Sequence, residues 1–262
     1  MLISGTVTRT LSQSLLATTL MAAAFAAQAA TITFDAPVTV GATAAPDTWY
    51  TDRYAPAGFE TASFGGDNRL KHSISAADSA ASRPAGFGGT FYNTQGRKLD
   101  APAATTSMSI DLYLDARWTD TSRRYAGFWG TAFDAIGAIS YYPIIEYGMG
   151  QLRFYNSITG AWTEIVGAPA LGDWVTLGIE LDGGNFNYAV NGFQVGSLAA
   201  NGSSRLGNTI LQGHNTTAGV SYDIYWDNLT FGGAGAAVPL PGSLALAGLG
   251  LALLGAARRR AA

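Results

Sequence analysis

Two segments alternate apolar and polar residues without a break, and that period of two constrains the fold more than any other feature. In Thr105 to Leu114, Met108, Ile110, Leu112 and Leu114 share one face, and Ser107, Ser109, Asp111 and Tyr113 share the other. In Trp174 to Leu181, Val175, Leu177, Ile179 and Leu181 repeat the pattern. Successive side chains of a strand point to opposite faces, so both segments predict half-buried β-strands. Asp182-Gly183-Gly184-Asn185 then turns into Phe186 to Val190, and Asn191-Gly192 turns into Phe193 to Ser197. Asn-Gly between two strand runs predicts a tight hairpin. Further strands are predicted at Thr31–Phe34, Trp49–Tyr54, Leu70–Ser75, Tyr125–Gly130, Pro143–Tyr147, Leu152–Asn156, Trp162–Ile165, Thr209–Gly213 and Val220–Phe231. Between the two ends no amphipathic stretch of helical length occurs, and no solenoid period is evident. About a dozen strands in roughly 200 residues exceed one immunoglobulin-type sandwich and suit an all-β jelly roll over residues 30–231.

The ends differ in kind from this middle. Arg9 precedes the apolar stretch Leu15 to Ala27, and Ala27-Gln28-Ala29 has the small-x-small form of a signal cleavage site. Residues 1–29 therefore read as a secretory signal peptide. At the other end, residues 232–237 are a Gly/Ala linker, and Val238-Pro239-Leu240-Pro241 leads into an uncharged stretch closed by Arg258-Arg259-Arg260. A helix of about 16 residues spans roughly 24 Å, short of a ~30 Å hydrocarbon core, so the span is marginal. The arginines belong on the cytoplasmic side, which leaves the domain outside. A Pro-x-Pro turn, a short Gly/Leu/Ala helix and a terminal Arg run resemble the PEP-CTERM sorting tail of Gram-negative bacteria, in the variant with Leu240 in place of Glu. That resemblance covers residues 238–262. It implies processing by an exosortase-type membrane enzyme, in bacteria that make exopolysaccharide. It places the chain at the cell surface or in the extracellular matrix, anchored in the inner membrane by its C-terminal helix.

All 18 acidic residues lie between the two ends, whereas Arg9 and the three terminal arginines leave 11 of the 15 basic residues there, a net charge of −7. That disfavours nucleic acid as a partner. With no cysteine and only His72 and His214, disulfides, thiolate zinc sites and a cysteine nucleophile are excluded.

The string Gly172-Asp173-Trp174-Val175-Thr176-Leu177-Gly178-Ile179-Glu180-Leu181, the glycine turn and Tyr188-Ala189-Val190-Asn191-Gly192 together resemble concanavalin A-like and laminin-G-like domains. The closing Tyr225-Trp226-Asp227-Asn228-Leu229-Thr230-Phe231 is similar to the last strand of many such modules. The resemblance implies a jelly-roll sandwich, a fold that hosts lectins, hydrolases, lyases and adhesion domains, so it does not choose a function. Jelly-roll hydrolases of this kind carry a Glu-x-Asp-x-x-Glu strand. It is missing here, and the four glutamates are Glu60, Glu146, Glu164 and Glu180. Glu180 and Asp182 have the i, i+2 spacing of a carboxylate pair, but Asp182 opens a turn. Gln212-Gly213-His214 weakly resembles the Gln-x-His strand of alginate-lyase-like enzymes. The family also implies a structural calcium between the first and last strands, for which Asp35 and Asp227 are the candidates. At Asp227 the alternation breaks, which predicts a bulge. Among the aromatics, Trp118 sits in the polar loop 115–123 and is the leading candidate to stack on a sugar, with Trp49, Tyr50 and Tyr54 next. His72 shares a face with Leu70 and Ile74 and reads as a core histidine.

These features point to an exported, surface-tethered, non-enzymatic sandwich protein that binds extracellular polysaccharide. The alternatives are a structural matrix protein without a small ligand and a glycan hydrolase or lyase.

Overall fold

The computed structural model describes residues 29–77, 94–118, 124–167, 170–214 and 220–233. Residues 1–28 of the signal segment, with Ala27, and the sorting segment with Val238, Pro239, Leu240, Pro241, Arg258, Arg259 and Arg260, lie outside these residues. Among the described residues there are seventeen strands: β1 Ala30–Ile32, β2 Thr39–Gly41, β3 Thr48–Asp52, β4 Gly58–Phe64, β5 Asp67–Ile74, β6 Gln95–Asp100, β7 Thr105–Leu114, β8 Ala126–Phe133, β9 Ile139–Tyr141, β10 Ile144–Gly148, β11 Gln151–Asn156, β12 Ala161–Glu164, β13 Asp173–Asp182, β14 Asn185–Val190, β15 Phe193–Ala199, β16 Arg205–Gly213 and β17 Tyr222–Gly233. No helix among the described residues is long and apolar enough to cross a membrane.

The strands form a jelly-roll sandwich. One sheet runs β15-β14-β13-β7-β17-β5-β4, with β1 on β17. The other runs β12-β11-β10-β8-β16-β6-β3-β2, with β9 on β8. Neighbouring strands are antiparallel except β2 and β3. The core between the sheets is built from the predicted alternation: Met108, Ile110, Leu112 and Leu114 of β7 stand beside Val175, Leu177 and Ile179 of the neighbouring β13 on the inner face of their sheet, all buried. Asn191 and Gly192 both have positive φ (51° and 79°), as do Gly183 and Gly184 (56° and 81°). Each pair makes a two-residue hairpin turn whose twist matches the strands it joins. The bulge predicted at Asp227 is present: the β17–β7 register shifts there, and Asn228 has φ 49°.

Two aromatic expectations are corrected. Trp118 is buried, because its ring packs against Tyr147 (5.5 Å) and edge-on against Tyr222 (5.8 Å). Trp49 is buried too, against Phe59 at 5.0 Å. Neither ring stands exposed on the surface in the way the loop and strand positions suggest. Strands β2, β4, β6 and β9 were not anticipated from the pattern. Gln95-Gly96-Arg97-Lys98 in β6 is polar on both faces, so period-two reading passes over it.

His72 is a core residue as expected. Its Nε2 lies 3.0 Å from the Gln95 carbonyl, its ring meets Phe59 edge-on, and Nδ1 has no partner. Burial lowers its pKa to about 3.

Candidate functional site

The two sheets differ on their outer faces. On the outer face of the β7–β17 sheet, charges are consumed locally. Arg69 bonds Asp67 (2.7 Å) and Asp227 (2.8 Å), and Lys71 lies 3.5 Å from Asp223. Asp35 accepts from Thr33 Oγ1 at 2.6 Å, and its carbonyl accepts from Asn68 Nδ2 at 3.0 Å. Consecutive residues Asn68 and Arg69 thus hold the two aspartates expected to ligate calcium. A cation at Asp227 would have to displace Arg69 from Oδ2. No group of three or more His, Cys, Asp or Glu among the described residues is placed to hold a metal. Burial raises the Asp227 pKa to about 6.

The outer face of the β8–β16 sheet is organised as a row. Cross-strand pairing aligns Glu164 with Arg153, Arg153 with Glu146, Glu146 with Gly127, Gly127 with Gln212, Gln212 with Gly96, and Gly96 with Asp52. Residues directly paired across antiparallel strands project to the same side, so this row crosses seven strands on one face. Two glycines open its centre. A Cβ at Gly127 would overlap the Trp129 indole nitrogen, and one at Gly96 would overlap both the Gln212 side-chain amide and the Leu211 carbonyl. Trp129 therefore lies back over its own strand toward Glu146, and Gln212 lies over Gly96 to donate from Nε2 to Asp52 Oδ2 at 2.6 Å. Gly96→Ala should cost about 1–3 kcal/mol of stability, because the overlap includes backbone that cannot swing away. Chemical denaturation of the wild-type and variant chains measures it.

Glu146 is the chemical centre of the row. It is 2% exposed, and one oxygen, Oε1, accepts from both Arg153 Nε (3.0 Å) and Nη2 (2.7 Å). Burial raises its pKa, and Arg153 and the Trp129 indole pull in the opposite direction. Arg153 is itself fixed between rings, 4.1 Å from the Trp162 centroid and 5.5 Å from that of Tyr125. Thr94, Trp129, Ile144, Glu146, Arg153, Tyr155, Trp162 and His214 line a cleft of about 320 Å³. Its walls are apolar where Trp129, Ile144 and Ile210 pack together with Tyr155, and Trp162 leans on Tyr155 at 4.8 Å. His214 stacks on Tyr125 at 3.8 Å.

Of the candidate residues read from the sequence, Tyr50 is on this face. It donates to Asp100 Oδ1 at 2.6 Å and lies under Lys98 at 5.0 Å. Tyr54 follows β3 and is half-buried. His214 lines the cleft, whereas Gln212, two residues earlier, is buried over Gly96. Glu180 and Asp182 are on the other sheet, where Asp182 pairs with Asn185 at a hairpin turn. The sequence reading missed Glu146 and Arg153 as a pair. They are seven residues apart, and the two-residue turn at Met149 (φ 55°) and Gly150 (φ 81°) sets them opposite each other. A hairpin register counted outward from Met149-Gly150 would have found them.

No protein-family model and no curated protein matches the sequence. Solved structures do match in fold. A non-specific endo-β-1,3(4)-glucanase from family GH16 aligns with a TM-score of 0.52 at 12% identity, over 78% of this chain and 90% of that one. The catalytic domain of an endo-1,3-β-glucanase (laminarinase) from Thermotoga petrophila RKU-1 aligns with 0.51 at 11%, over 77% and 95%. A GlcNAcα1-4Gal-releasing endo-β-galactosidase from Clostridium perfringens aligns with 0.53 at 9%, over 79% of this chain and 62% of that one. At these identities the likeness is one of fold. The expectation of a non-enzymatic binding protein is corrected on this finding: the three solved structures named above are glycan-cleaving enzymes.

Proposed function

We propose that the chain hydrolyses a glycan, with Glu146 as the proton donor. The observation that carries this reading is a carboxyl group buried at the floor of an aromatic-walled cleft, its pKa raised by burial, with one oxygen clamped by Arg153. A general acid must hold its proton near the working pH, and burial is the means of achieving that. The fold shared with an endo-glucanase, a laminarinase and an endo-galactosidase supports the same reading. The second carboxylate is Glu164. It stands two strands away on the same face, so the two backbones are about 10 Å apart. A separation of roughly 6.5–9.5 Å between carboxyls leaves room for a water and inverts the anomeric centre. Trp162, beside Glu164 and 36% exposed, offers a ring to a sugar face. The N-terminal signal and the C-terminal sorting tail support action on extracellular polysaccharide, after export and exosortase processing.

The test is to incubate the full chain with β-1,3-glucan, mixed β-1,3(4)-glucan and galactan, and to follow viscosity, reducing ends and product anomer. Viscosity should fall before reducing ends accumulate, and the first product should carry the inverted configuration. Absence of new reducing ends on every polymer overturns hydrolysis, and retained configuration removes Glu164 from the water-activating role.

One observation favours a second reading. Arg153 and His214 line the same cleft, Tyr125 stacks on His214, and an arginine beside a stacked His–Tyr pair suits β-elimination from a uronate. An unsaturated sugar at the new end, read by its ultraviolet absorbance, distinguishes elimination from hydrolysis.

A further inference from the structure

A second cavity lies at one end of the sandwich, away from the Glu146 row. It measures about 430 Å³ and is lined by Ser73, Ser75, Ser221, Arg117, Arg124 and Asp223, with Trp118 and Tyr222 in its wall. That volume is in the range of small-molecule sites and large enough for a monosaccharide.

The charges around it are unequal. Arg117 is paired with Asp115 through Nε and Nη2. Asp223 is committed to Ser73 Oγ at 2.6 Å and faces Lys71 at 3.5 Å. Arg124 is half-buried and makes no hydrogen bond or ion pair among the described residues. A guanidinium carries five N–H donors and never loses its charge, so Arg124 brings a cation to the cavity, and its acidic neighbour Asp115 is already hydrogen-bonded to Arg117. Ser221 Oγ accepts from the Ala76 N–H at 3.0 Å, which leaves its own O–H to donate.

We infer that this cavity is a binding site for a sugar acid, whose carboxylate pairs with Arg124 and whose hydroxyls meet the serine rim. The site is separate from the proposed hydrolytic cleft and does not depend on it. The two are nevertheless joined by one residue. Tyr222 Oη accepts from the backbone N–H groups of Tyr125 and His214, each at 3.1 Å, and lies 2.8 and 3.0 Å from their carbonyls. A ligand packed on Tyr222 therefore touches the residue that pins the Tyr125–His214 wall of the cleft.

Calorimetric titration of the full chain with galacturonate, glucuronate, glucose and inorganic sulfate tests this. The sugar acids should bind at least 10-fold more tightly than glucose or sulfate. Arg124→Gln should weaken them by 10-fold or more, since a charge-assisted hydrogen bond is lost. Among the described residues Arg124 makes no hydrogen bond or ion pair, so this variant should unfold near the wild-type temperature. Arg124→Lys, which keeps the charge without the planar fork, should fall between the two. Equal binding of glucose shows that the anion is not read. Equal binding of sulfate shows that the sugar is not read. Unchanged affinity in Arg124→Gln, or no heat with either acid at millimolar concentration, also overturns the assignment. Every readout is binding, so failure here is distinct from failure of glycan cleavage.

Discussion

Glu146→Gln should lower glycan cleavage by about 10²–10⁴-fold, the usual contribution of a positioned general acid. Gln keeps the size of the side chain and an acceptor for Arg153, but it has no proton to give the leaving oxygen. It also leaves the Arg153 charge without its carboxylate, which alone could cost stability, so loss of polymer cleavage is only half of the result. The other half is leaving-group dependence. An aryl glycoside whose phenolate needs no protonation should be cleaved by Glu146→Gln within about tenfold of wild type, and a merely misfolded cleft would lose both substrates together. Glu164→Gln should behave in the opposite way, losing the aryl glycoside as well, because the attacking water is then unactivated. The pH profile follows from the raised Glu146 pKa. Activity should fall as pH rises through that value, and the limb should vanish in Glu146→Gln with the aryl substrate.

Below pH 6.5 the fold should weaken through His72. In the native state burial holds the His72 pKa at about 3, and Arg97 pushes the same way. The Gln95 carbonyl and Asp223 oppose. Its Nε2–H is matched by the Gln95 carbonyl, and a second proton would go to Nδ1, which has no partner in the core. The unfolded chain takes up that proton near pH 6.5. Between about pH 6.5 and 3 the unfolded state therefore binds more protons, so stability drops as pH drops. The full shift corresponds to something on the order of 5 kcal/mol. Asp227 works against this over part of the window. Its raised native pKa, about 6, makes the native state the better proton binder between roughly pH 4 and 6. Urea midpoints measured from pH 7 to 4 for wild type and His72→Phe separate the two. The wild-type midpoint should decline, and the variant should start lower, having lost the Gln95 bond, but show a flat or rising profile. A variant that declines as steeply as wild type would remove His72 as the cause.

The core of the sandwich was legible in the sequence where one face of a strand is wet. Strands β7 and β13 alternate cleanly because their outer residues, Asp111, Tyr113 and Thr176 among them, stay polar or half-exposed. The Asn191-Gly192 hairpin was legible because few residue pairs adopt two left-handed conformations in succession. Trp118 was misread because polar neighbours say where a loop runs, not where its largest side chain turns, and here it turns onto Tyr147 and Tyr222. The candidate site was illegible for a different reason. Ile144, Ile145, Glu146 and Tyr147 are all buried, so β10 carries no alternation to mark Glu146 as outward. Its environment is set by Arg153, Gly127 and Trp129, whose relation to it is a matter of register between strands rather than of spacing along one.

The row from Glu164 to Asp52 draws one residue from each of seven strands, with positions from 52 to 212 in the chain. No contiguous peptide and no single hairpin contains it. Contacts this distant in sequence form slowly, since each closes a long loop before it contributes stability. The full row is thus complete only once β16 has paired with both β6 and β8. A fragment lacking β16 therefore cannot assemble the row.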